Sequence, residues 1–171
     1  ESYASPAIGS VGLLAMESLQ AMLGTKLSHM AYRSRSLMFR ELLAGRVQMV
    51  MDNLPGYLSA IRSGALRALA VSSAGRWFAA PDIPAVSEHG FGDYTATLWW
   101  YVAAPAGTRI ALVQSLSDAI VHGLAESSMA DRMRGIGVMA TPRCAADLAA
   151  HIAAESARWR KVITAAGIEP R

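Results

Sequence analysis

The sequence predicts an α/β fold built on a mostly parallel sheet, and three observations carry that expectation. Short apolar runs alternate with segments of helical period, glycines stand where the helices should stop, and small or polar turn residues follow the strand-like runs. Such alternation gives strand–helix–strand units with right-handed crossovers, the helices covering both faces of the sheet.

Residues 1–4 read as the end of a strand that delivers the chain to the turn Ser5-Pro6-Ala7-Ile8-Gly9-Ser10-Val11-Gly12, and the apolar stretch 13–23 reads as the helix that follows. Residues 26–30 are the next strand, 37–44 a helix closed by Gly45, and 47–51 a strand ending at Asp52-Asn53. Pro55 suits the first turn of a helix that runs to about 63 and stops at Gly64, and 66–71 should add another strand. Past Ser72 the texture changes: 77–93 gathers Pro81, Pro84, Gly90 and Gly92 around one short helical turn. Residues 95–103 then read as a long aromatic strand in which the adjacent Trp99 and Trp100 face opposite sides. That change marks a domain boundary. From Thr108 the pattern is helical, with Ile110, Val113, Leu116, Ile120 and Leu124 on one stripe. A break near Ser127 precedes a second helix through Arg134, 137–140 read as a short strand, and a last helix spans 145–166 before Gly167.

With 53% hydrophobic and 17% charged residues among 171, the chain has the makings of a packed core and not of a disordered segment. Its longest charge-free runs are broken by Pro and Gly, so no membrane insertion is expected. A net charge of +3, with the cations scattered apart from Arg33/Arg35 and Arg158-Trp159-Arg160-Lys161, argues against a nucleic-acid partner. The single Cys144 excludes an internal disulfide and a thiolate-rich metal site. Nucleophile-elbow, zinc-protease, phosphate-loop and dinucleotide patterns are all missing, so neither catalysis nor a metal or organic cofactor is expected. The sequence has no starting Met and no leader segment, and reads as a processed or truncated piece of something longer.

In an open parallel sheet, ligands bind beyond the carboxyl ends of the strands, where three loops should gather. The first, 5–12, holds Ser5, Ala7, Gly9, Ser10 and Val11; the second, 32–36, holds Tyr32, Arg33 and Ser34; the third is Asp52 and Asn53. Amides of Gly9, Ser10 and Val11, with the Ser5 and Ser10 hydroxyls, could donate to a carboxylate at a helix N-terminus. The plain alternative is a loop that only caps the helix. Tyr32 offers a phenol and Arg33 a counter-charge, against the alternative that Arg33 or Arg35 faces solvent. Asp52 has three readings: it holds loop amides or waters that touch the ligand, it reads an ammonium group, or it caps the helix starting at Leu54; Asn53 suits either a site or a cap. His29 is expected to be a satisfied core histidine.

Gly9-Ser10 before a helix, His29-x-x-Tyr32, Leu42-Leu43-Ala44-Gly45-Arg46-Val47-Gln48-Met49, Asp52-Asn53-Leu54-Pro55, Leu66-Arg67-Ala68-Leu69-Ala70-Val71-Ser72, Pro81-Asp82-Ile83-Pro84, Trp99, Ala104-Pro105-Ala106-Gly107-Thr108 and Ala165-Ala166-Gly167-Ile168 form an ordered series. It resembles the tripartite tricarboxylate transporter substrate-binding proteins, the Bug family. The resemblance implies a periplasmic-binding-protein-like (type II) architecture of two α/β domains with mostly parallel sheets, the first domain incomplete. Residues 1–97 would be the nearly complete second domain. Residues 98–171 would be the C-terminal part of the first, including a hinge-crossing strand and the C-terminal helix, with hinge motion near Ala4-Ser5 and 97–101. It further implies a periplasmic receptor that closes on a small carboxylated solute, whether di- or tricarboxylate, amino acid or aromatic acid, and passes it to membrane permease subunits. Leu13, Ser34 and Leu37 stand where the family commonly has His, Gly and Pro, which bears on selectivity. Two rivals remain at this point: the ligand-sensing domain of a transcription regulator, which would bring a helix-turn-helix not evident here, and a truncated remnant stabilised by self-association.

Overall fold

The computed structural model of the chain describes residues 1–169. It opens on β1 (Ser2–Ser5), whose alternating side chains separate two apolar faces: Tyr3 packs with Leu13 and Met16, and Ala4 packs with Met38, Val47 and Tyr57. Helix α1 (Val11–Leu23), strand β2 (Ser28–Ala31), helix α2 (Arg35–Leu43) and strand β3 (Met49–Val50) follow. Both later strands pair with β1 in parallel, giving a three-stranded sheet in the order β2-β1-β3. Leu13 and Met16 of α1 lie on the Tyr3 face and Met38 of α2 on the Ala4 face, so the sheet is covered on both sides, as expected. The chain leaves β1 toward β2 and then crosses back to β3. Connections therefore diverge between β1 and β3, the place where open sheets of this kind hold ligands.

Local chemistry fixes α1. The Ser10 hydroxyl accepts from the Leu13 amide and closes the N-terminus, Leu13, Leu14, Ala15 and Met16 are buried, and Gly24 ends the helix. A buried polar cluster ties the helix to its flanking strands: the Tyr3 hydroxyl and the Gln20 amide both donate to Glu17, while Gln20 accepts from the Leu27 amide. Burial, then the Glu17 carboxylate, pushes the Tyr3 phenol above its usual range. Behind β3 the chain makes a 3₁₀ turn over Leu54–Tyr57, with Pro55 in its first turn, and continues into α3 (Leu58–Arg62).

Three expected strands are absent among the described residues. Residues 66–71 form none because only Val71 finds a partner, in an isolated parallel bridge to Ala85, and the neighbouring Pro84 has no amide with which to extend a ladder. Residues 95–103 have no neighbouring strand; Ala96 is held to Ser72, its amide donating to the Ser72 carbonyl and its carbonyl accepting from the Ser72 hydroxyl. Residues 137–140 begin as the unwinding end of a helix, with Gly137 and Val138 donating back to Arg134 and Met133.

By internal contacts the chain parts into two units, one of Glu1–Leu98 with the terminal segment from Trp159, the other of Trp99–Arg158. In the first, Trp159 packs with Ala15, Val86, Tyr94 and Ala96, and Ile168 reaches the cluster of Tyr3, Leu13 and Met16. The second contains α4 (Ile110–Ala125), α5 (Ser127–Gly135) and most of α6 (Ala145–Ala165). Trp99 is half-buried there, its ring 5.0 Å from that of His151, whereas Trp100 is exposed. No described residue of this second unit is buried.

Candidate functional site

The first unit holds a cavity of about 370 Å³ at the carboxyl ends of β1 and β3, lined by the turn from Gly9 to Gly12, by Arg35 and by Asp52 and Asn53, with Ser72 and Leu98 completing the wall. Two glycines shape the turn. Gly9 has a φ of +81°, a conformation that L side chains rarely adopt. Gly12 sits where an added Cβ would collide with the Met51 carbonyl oxygen, so the missing side chain lets the first turn of α1 lie against the chain leaving β3. The N-terminus of α1 is thereby held beside Asp52 and Asn53.

Hydrogen bonding decides which groups of the turn are available. The Ser10 amide donates to the Ala7 carbonyl at 3.2 Å, so it closes the turn and does not offer itself to the cavity as expected. The amides of Gly9, Val11 and Gly12 have no acceptor among the described residues. They sit at the positive end of the α1 dipole. The Ser10 hydroxyl, accepting from Leu13, keeps its own hydrogen to donate.

The remaining expected residues divide. Ser5 is fully buried; its hydroxyl donates to the Ala7 carbonyl at 3.2 Å and lies 2.8 Å from His29 Nε2, an arrangement in which the ring N–H donates to it. Ser5 and Ala7 thus brace the turn from outside the cavity lining. His29 is held below its usual pKa by burial, against the pull of Glu17, and stacks on Tyr3 with ring centroids 5.0 Å apart. Tyr32, Arg33 and Ser34 do not line the cavity: Tyr32 continues the ladder by donating to the Ser5 carbonyl and packs near Met38, Arg33 is exposed, and Ser34 caps α2 by accepting from the Leu37 amide.

Asp52 is not a helix cap. Asn53 occupies that position, without a side-chain cap bond, while Asp52 accepts from Arg35 Nη2 at 3.0 Å and from the Tyr57 hydroxyl at 3.1 Å. Burial, followed by the Asp52 charge, raises the Tyr57 pKa, so its phenol stays protonated and donating. Tyr57 is a residue that sequence reasoning missed, and Arg35, although inside the candidate loop 32–36, is not among the residues expected to bind. The signal was Ser34: read as an N-cap three residues before Leu37, it starts α2 at Arg35 and places that cation on the first helical turn instead of in a loop.

The switch point of an open α/β sheet thus holds a cavity at a helix N-terminus shaped by two glycines. The family model for the tripartite tricarboxylate transporter family receptor matches residues 1–168, and the chain belongs to that family. It is 32% identical over 168 residues to a UPF0065 protein of Bordetella bronchiseptica, covering 98% of this chain and 50% of that protein. It is 31% identical to Protein BugT of Bordetella pertussis, covering 97% of this chain and 51% of the other. Among solved structures, an R. palustris protein with adipate superposes at a TM-score of 0.86 with 34% identity, covering all of this chain and 57% of that one. The periplasmic binding protein BugD superposes at 0.80 with 27% identity, over 99% of this chain and 57% of its own. The chain thus spans about half the length of the curated relatives it matches. The expected type II periplasmic-binding-protein-like α/β fold agrees with these likenesses.

Proposed function

We propose that the protein is a periplasmic solute receptor that captures a small carboxylated metabolite and delivers it to the membrane subunits of a tripartite tricarboxylate-type transporter. One observation carries the reading: a cavity at the switch point of a parallel sheet, rimmed by unpaired amides at the N-terminus of a 13-residue helix. A carboxylate there meets Gly9, Val11 and Gly12 amides and the Ser10 hydroxyl, donors matched to an anion and to no bond-making step. Membership of a receptor family and likeness to a protein solved with adipate support the same class of ligand.

In this reading the first unit is the family's second domain, and residues 99–158 belong to the first domain. The exposed apolar faces of the second unit favour that assignment, because helices with such stripes are stable when another layer covers them. Ligand capture then proceeds by closure: a solute that contacts both domains stabilises the shut state and shifts the population toward it. Isothermal titration of the full chain with di- and tricarboxylates, aromatic acids and amino acids tests the proposal. Saturable binding of a carboxylate, abolished by Gly9→Val with the circular dichroism spectrum intact, is the expected result. Undiminished binding by that variant would remove the turn from the site.

A further inference from the structure

Resting on that reading, the cavity contains a second charged feature with no place in single-carboxylate capture. We infer that Arg35 is a specificity-determining residue that reads a second carboxylate, so that the ligand class is the dicarboxylates, and that Asp52 and Tyr57 are the residues that position it.

Arg35 and Asp52 are the charged side chains of the cavity lining among the described residues. Their environments are opposite: the Asp52 side chain is 6% exposed and that of Arg35 61%. The carboxylate is therefore the buried anchor and the guanidinium the open end. Both Asp52 oxygens accept a hydrogen bond, Oδ1 from Arg35 and Oδ2 from the Tyr57 hydroxyl, and the Arg35 charge offsets the repulsion that a bare carboxylate would present to an incoming anion. A guanidinium has five N–H donors in a planar fork, and Asp52 takes a bond from one nitrogen. The remaining edge suits a second carboxylate bidentately, and anchoring at Asp52 reduces the side-chain entropy lost on binding. Arg33, two residues earlier, is exposed and outside the lining, so it does not duplicate the role. The same arrangement disfavours an ammonium at Asp52, because Arg35 already occupies the position a ligand cation would take.

Adipate and hexanoate have the same chain length and differ by one carboxylate, which makes them the probes. Titration calorimetry on the full chain should show wild type preferring adipate, and Arg35→Gln lowering adipate affinity about tenfold while leaving hexanoate unchanged. Arg35→Gln leaves Asp52 without its counter-charge, so Arg35→Gln with Asp52→Asn repeats the test with charge balance kept, and thermal melts check folding. Tyr57→Phe keeps the ring in the core and should lower adipate affinity by a smaller factor, again sparing hexanoate; Arg35→Lys should restore part of the preference. An adipate-to-hexanoate ratio unmoved by Arg35→Gln, or an equal fall for both acids, overturns the role of Arg35 while carboxylate capture at the turn stands. Wild type binding neither acid overturns the dicarboxylate inference, whereas the receptor reading falls only if the wider screen of tricarboxylates, aromatic acids and amino acids also shows no binding.

Discussion

The two units use apolar sequence in opposite ways. In the first, Tyr3, Ala4, Met38, Val47 and Ala85 are 1% exposed or less, and four buried clusters link the sheet, its helices and the loop after Val71. In the second, Val102 is 74% exposed, Ile110 75% and Leu116 50%, although α4 is as apolar and as regular as α1. Helix period alone does not make a core; an amphipathic stripe contributes burial energy only when a second layer meets it. In the proposed function that layer belongs to the remainder of the first domain.

Truncating one residue of each kind breaks or sharpens the contrast. Met38→Ala removes a fully buried side chain packed against Ala4 and Tyr57, and should cost about 2–5 kcal/mol in urea unfolding. Leu116→Ala on the exposed stripe of α4 should stay within about 0.5 kcal/mol. A cost for Leu116→Ala as large as that for Met38→Ala would mean that the stripe is covered in solution, and analytical ultracentrifugation of the same sample would show whether self-association supplies the cover.

Next in size is the glycine that joins packing to the site. Gly12→Ala drives a methyl into the Met51 carbonyl and displaces the first turn of α1 from β3; overpacking of this kind costs about 1–3 kcal/mol. Gly9→Ala meets open space and strains only the local φ, at about 1 kcal/mol. Thermal melts should rank Gly12→Ala below Gly9→Ala, and carboxylate titration should find both weakened.

Most of the first unit was legible in the sequence because its signals are local. Ser10 and Gly24 bound α1, Pro55 marks the turn after β3, and the apolar runs around Tyr3, His29 and Met49 became the sheet. What was illegible depends on partners distant in sequence. Residues 66–71 and 95–103 have strand-like composition, yet a strand requires a neighbour, and the bridge of Val71 to Ala85 ends beside a proline. In the cavity, Gly9, Ser10, Val11, Asp52 and Asn53 stand together, whereas Arg35 joins Asp52 across 17 residues and only the folded chain reveals that pair. Tyr32 is drawn away from the lining by its ladder bond to Ser5 and its packing on the cluster around Met38, and Arg33 is exposed, contacts that their position after β2 does not announce.

Buried phenols separate the units by pH. Tyr3 and Tyr57 have pKa values raised above the ordinary 10.0, chiefly by burial and then by Glu17 and Asp52. Both states keep the phenols protonated below pH 10; above it the unfolded chain loses protons that the folded chain retains, so stability falls as pH rises toward the folded values. Melting temperature should therefore drop between pH 10 and 11.5, and Tyr3→Phe with Tyr57→Phe should flatten that slope.

The smallest effect concerns an exposed clamp on the proline-rich loop of the first unit. Arg76 holds Glu88 with Nε and Nη2 at 2.8–3.2 Å and also donates to the Pro81 carbonyl at 3.0 Å, while Glu88 accepts from the Ala85 amide at 2.8 Å. The Arg76 hydrogen bonds, followed by the Ala85 amide, hold the Glu88 carboxyl at about 2 against an ordinary 4.5. With the folded value depressed, the contribution is present above pH 4.5 and is lost as pH falls toward 2. Solvent screens this pair, so Glu88→Gln should lower the melting temperature only slightly at pH 7 and by still less at pH 2, and high salt should shrink the difference. A loss at pH 7 that salt leaves untouched would assign the stabilisation to the Ala85 amide bond, making Glu88 a brace for the bridge between Val71 and Ala85 and not an ion-pair partner.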